Sequence, residues 1–168
     1  MADINDIIAT AKLREHTISL CLRGDLAAQH EQASTELEAV TRDGLSDSLA
    51  APQAEAAKKV RDIEEMMRAS STDFTFRALG DRAYRALKAA HVGREGHSEA
   101  FNIETYPVAL IAAASADPVM SIPDVERLFE VLAEGQRDAL FGAAFTVNEG
   151  QAGVPFSERA STVIRSYS

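Results

Sequence analysis

The period of the hydrophobic positions changes several times along the chain, and each change marks an element. Residues 3 to 12 predict a short helix. Over HTISLCL, His16 to Leu22, apolar and polar residues alternate: Ile18, Leu20 and Leu22 fall on one side, and Thr17, Ser19 and Cys21 on the other. A period of two predicts a strand. Gly24 and Asp25 then supply a turn and an N-cap, and Leu26, Ala33, Leu37 and Val40 recur at helical spacing to about Arg42. The stretch TRDGLSDS interrupts that period. Beyond it, Pro52 sits in a first helical turn, and Ala56, Val60, Ile63 and Met67 form a second stripe reaching Arg68. The two stripes predict a helical hairpin. Its opposite-charge pairs four residues apart, such as Glu55/Lys59 and Arg61/Glu65, add about 0.2–0.5 kcal/mol each on a solvated face.

Ser70, Ser71 and Thr72 predict a hinge, and FTF at Phe74 to Phe76 an extended lead-in. Leu79, Ala83, Ala86, Leu87 and Ala90 then mark one side of a helix, and at about 100° per residue Arg82, Arg85 and Lys88 project to the other. The glycine-bearing HVGREGHSEAFN predicts a loop. Thr105 followed by Tyr106-Pro107 is a helix start, and Ala109 to Ala114 has almost no polar side, which makes this the most buried helix expected. Ser121 with Asp124 three residues on predicts the next cap, with Val125, Leu128, Phe129 and Leu132 on its core face. After Gly135 a last helix carries Leu140, Ala143, Ala144 and Val147. The expected fold is mainly α: a short N-terminal strand, a helical hairpin, then a compact helical C-terminal part. The expected division is 1–70, 73–150 and an extended or mobile tail at 151–168.

Composition narrows the function classes. At 168 residues and 46% hydrophobic the chain can bury a core, and no run approaches the roughly 20 apolar residues of a membrane span. The acidic start MADINDII is unlike a secretory signal, and a lone cysteine, Cys21, excludes an internal disulfide; both predict a cytoplasmic protein without a membrane partner. A net charge of -9 disfavours nucleic acid, whose phosphates require clustered Lys and Arg. Charge is unevenly spread: Arg77, Arg82, Arg85, Lys88 and Arg94 precede a half dominated by Asp and Glu. Arg82, Arg85 and Lys88 are therefore the candidate partner-binding residues, facing an acidic protein surface.

Catalytic chemistry has no motif. His91 and His97 stand six apart with no CxxC or HExxH, so no metal site is expected, and no GxxxxGK[ST], GxGxxG or GxSxG points to a cofactor or nucleophile. The helices flanking Gly135 mimic a helix-turn-helix, but Glu134, Asp138 and Glu149 around Arg137 would repel phosphate. The expectation is a protein that is not an enzyme.

Taken in order, ISLCLRGDLAAQHEQ, FTFRALGDRAYRALKAAH, FNIETYPVALIAAASADP and NEGQAGVPFSERAS resemble the tail assembly chaperones of long-tailed, siphovirus-type phages and prophages of actinobacteria. The resemblance runs from about Ile18 to Ser161, with Phe101 to Pro118 and Val154 to Ser157 its best markers; the loop VGREGHSEA departs from it by lacking prolines. It implies a non-enzymatic protein of the host cytoplasm that coats the tape measure protein, promotes tail tube protein assembly around it, and is absent from the mature virion. It also implies self-association and a frameshift-extended longer form. A structural virion component, such as a head-tail adaptor or tail terminator, fits the same context, and a small enzyme is the remaining alternative.

Overall fold

The computed structural model describes residues 3–43 and 50–150. It is mainly helical, with a small antiparallel sheet and a C-terminal group of helices. Its elements are α1 (Ile4–Thr10), β1 (Glu15–Cys21), α2 (Gly24–Asp43), α3 (Ala50–Ala69), β2 (Ser71–Arg77), α4 (Asp81–Ala90), α5 (Tyr106–Ala114), β3 (Ser115–Asp117), α6 (Ile122–Phe129) and α7 (Glu134–Glu149). The tail from residue 151, with its Val154 to Ser157 motif, lies outside the described residues.

β1 pairs with β2 along its whole length, Ile18 opposite Phe74 and Cys21 opposite Ser71, and β3 adds a third strand beside β2 with a bulge at Thr75/Phe76. The alternation read from His16 to Leu22 holds, displaced by one residue. Ile18, Leu20, Phe74 and Phe76 point inward, with Phe74 and Phe76 buried. On the outer face Thr17 Oγ1 and Thr75 Oγ1 lie 2.8 Å apart, Ser19 donates to Asp73, and Arg77 pairs with Glu15 at 2.7 Å. These cross-strand pairs are the polar complement of the apolar ones behind them. Ser71 and Thr72, expected in a hinge, are instead the first two residues of β2, because their backbones complete the ladder against Cys21 and Leu20. Gln136 of α7 adds a bond to the Cys21 carbonyl at 2.8 Å.

The core lies between this sheet and α5, α6 and α7. α5 is buried at Tyr106, Ala109, Leu110, Ile111 and Ala114, as its lack of a polar side requires. Burying a residue of Leu110's size contributes about 1.5–3 kcal/mol. α6 begins with a capping box: the Asp124 backbone N–H donates to Ser121 Oγ at 3.4 Å, and Asp124 Oδ2 accepts from the Ser121 N–H at 3.0 Å. The hydrogen bonds from Ser121, with Arg127 alongside, bring the Asp124 carboxyl down to about 2. α2 and α3 form the hairpin, packed on each other and only marginally on anything else.

Candidate partner-binding surface

α4 starts after Gly80 and ends at His91. Its inward side is made by Tyr84 and Leu87, which pack against the core with Leu79. Ala83, Ala86 and Ala90, expected on the core-facing stripe, are exposed. The helix is thus rotated relative to the sequence reading. Two large side chains, Tyr84 and Leu87, bury far more apolar area than three alanine methyls, and they set the rotation.

This rotation separates the three candidate basic residues. Arg82 points directly away from the Tyr84/Leu87 side, and Arg85 lies next to it; both are exposed. Arg85 pairs with Asp81 at 2.9 Å, while Arg82 has no ion pair among the described residues. Lys88 is turned to the flank, where its Nζ lies 2.9 Å from Glu149 Oε1 and 4.9 Å from the centre of the Tyr84 ring. The outward basic surface is therefore Arg82 and Arg85, the latter beside its Asp81 partner, with Lys88 tied to the body.

Glu149 is the hub of a small network unmarked by any motif. Tyr106 Oη donates to Tyr84 Oη at 3.1 Å, and Tyr84 Oη donates to Glu149 Oε1 at 2.8 Å. Next to it, Asn148 Oδ1 accepts from the Leu79 N–H at 2.8 Å, and Asn148 Nδ2 donates to the Ala144 carbonyl. Burial, then the bonds to Tyr106 and Glu149, push the Tyr84 hydroxyl well above its ordinary value. The bond from Lys88, then that from Tyr84, holds Glu149 below the usual carboxylate range, and Glu149 in turn raises Lys88. Tyr84 stands outside the stripe expected from the sequence, and the signal for it is only a large apolar-bodied side chain three residues before Leu87; Glu149 is one acidic residue among many.

Elsewhere, Arg94 clamps the loop after α4 by pairing with Glu99 at 2.6 Å and with Glu104. His91 Nδ1 lies 2.8 Å from Thr105 Oγ1, and His97 faces Glu99 at 4.0 Å. No three potential metal-ligating side chains converge among the described residues. No helix among them is long and apolar enough to cross a membrane. Comparison of the chain with protein-family models, curated proteins and solved structures gives no match.

Proposed function

We propose that the protein is a tail assembly chaperone of a long-tailed phage or prophage: it binds the tape measure protein in the host cytoplasm, promotes tail tube assembly around it, and leaves before the virion is complete. The observation that carries this reading is the ordered run of sequence motifs from Ile18 to Ser161, centred on Phe101 to Pro118. Two further features support it. In a chain of net charge -9, Arg82 and the Asp81-paired Arg85 form an outward basic strip on a short, well-anchored helix, suited to an acidic face of a helical client. The phrase Phe101 to Pro118 supplies α5, the most buried helix, so the marker belongs to the scaffold that holds α4 in place.

Coexpression with the tape measure and tail tube proteins of the same phage tests the proposal. The chain should keep the tape measure protein soluble, co-purify with it, and be missing from assembled particles. Persistence in purified particles would reassign it as an adaptor or terminator. Equal recovery of soluble tape measure protein without the chain would sink the chaperone reading.

A further inference from the structure

A cleft of about 320 Å³ opens where the first turns of α7 meet the start of α5 and the end of α6. Val108, Phe129 and Phe141 give it apolar walls, and Ile103, 55% exposed, joins them. Phe141 is held by its neighbours, edge-on to Tyr106 at 6.1 Å and 5.9 Å from Phe101. That wall is fixed before any ligand arrives.

Arg137 lines the same cleft, half-buried, with its guanidinium carbon 6.0 Å from the centre of the Phe129 ring. Its Nε is buried and has no hydrogen-bond partner among the described residues. Three carboxylates also line the cleft, yet none of them pairs with Arg137: Glu104 turns to Arg94, and Glu134 and Asp138 are exposed. Buried side-chain donors are nearly always satisfied, and an arginine fork set against an aromatic face is suited to receiving a carboxylate. An unsatisfied fork beside apolar walls calls for an anion that brings its own apolar body.

The volume limits which anion that is. A cleft of this size is at the small end of ligand sites, with room for about one large residue. The apolar body and the carboxylate must then belong to the same residue. Asp and Glu within a chain carry too little apolar surface to cover the Phe129 and Phe141 rings. The last residue of a chain meets both demands when its side chain is large, because side chain and carboxylate share one Cα.

We propose that this cleft captures the free C-terminus of a partner protein whose last residue is large and apolar, with the carboxylate on Arg137 and the side chain between Phe129 and Phe141. The partner's preceding residues pass Glu134 and Asp138, which favour basic over acidic residues there. The cleft is separate from the Arg82/Arg85 surface, and its role does not rest on the chaperone reading.

The test titrates the purified full chain with acetylated peptides, followed by backbone amide NMR shifts, and needs neither the tape measure nor the tube protein. Ac-Lys-Ala-Ala-Phe with a free carboxylate should bind with a Kd below about 1 mM and move the signals of Phe129, Arg137 and Phe141. The same peptide as its C-terminal amide should bind at least about tenfold more weakly, as should the free acid to Arg137→Gln. Arg137→Lys, which keeps the charge and loses the fork, should fall between. Aspartate in place of the peptide's lysine should weaken binding. Hydrocinnamate, a free carboxylate with the same ring, and Ac-Lys-Phe-Glu-Ala-amide, with an internal acidic residue, should both bind less tightly than the terminal peptide. Either one binding as tightly would assign the cleft to small carboxylates or to internal acidic residues and overturn the proposal. So would equal binding of acid and amide, shifts centred away from the cleft, full affinity in a folded Arg137→Gln variant, or no binding up to about 10 mM.

Discussion

Lys88 and Glu149 are ion-paired at 2.9 Å, which fastens the last turn of α4 to the last turn of α7. Because Glu149 is held below its ordinary carboxyl value of 4.5, first by Lys88 and then by Tyr84, it favours the folded state most where it is ionised. That contribution is present above about pH 4.5 and is lost as pH falls through the lower folded value. Glu149→Gln should therefore be less stable than the parent at neutral pH, by no more than about 1 kcal/mol since the pair is partly exposed. Thermal melts at a series of pH values should show the gap closing below pH 4.5; a gap constant with pH would remove the ionic explanation.

Lys88 should differ from its neighbours under charge reversal. Arg82→Glu/Arg85→Glu should leave stability within about 0.5 kcal/mol of the parent, since both side chains are exposed and outward. Lys88→Glu places a carboxylate beside Glu149 and should destabilise measurably. The double variant should also lose capture of the tape measure protein, with the parent's capture weakening as salt rises. Unchanged capture by a folded double variant would leave the strip a solvated surface only.

Leu110 has no exposed surface, and its helix is the centre of the core. Leu110→Ala should cost about 2–5 kcal/mol. Leu110→Asp, burying an unpaired carboxylate, should unfold the C-terminal helices outright, seen as loss of cooperative melting. An unchanged melt would show that this helix is not core.

Two glycines should respond to alanine in opposite directions. At Gly93 a Cβ would press into the Glu99 carbonyl, with its carbon at 3.0 Å, so Gly93→Ala should cost about 1–3 kcal/mol. At Gly142, inside α7, a Cβ meets nothing within 4 Å, and Gly142→Ala should add up to about 1 kcal/mol through helix propensity. Paired denaturant titrations check the sign of each.

What could be read from the sequence was carried by strong local periods. α2, α3, α5 and α7 follow apolar stripes or an all-apolar run, and the Ser121/Asp124 cap follows from side-chain chemistry at fixed spacing. Three things were not legible. β3, Ser115–Asp117, is too short to show a period and is specified by its partner, β2. Ser71 and Thr72, a polar pair beside Ser70, carry no apolar alternation that marks a strand, and their place in β2 is set by pairing with Cys21 and Leu20 of β1. At α4, alanines fit an inside or an outside position almost equally, so the rotation depended on Tyr84, whose hydroxyl finds Glu149 sixty-five residues away.

The ladder between β1 and β2 makes the α2/α3 arm an insertion. Cys21 stands directly opposite Ser71, so the chain leaves the sheet, runs through α2 and α3, and returns to the point where it departed. In outline this is a β-hairpin whose turn has been replaced by two helices. Excising Gly24–Ala69 and joining the strands through a short Asn-Gly turn should give a smaller protein that keeps the sheet, the Leu110 core and α4. Lengthening or trimming α2 and α3 by matched heptads should likewise alter the arm's reach by about 10 Å per heptad without retuning the body.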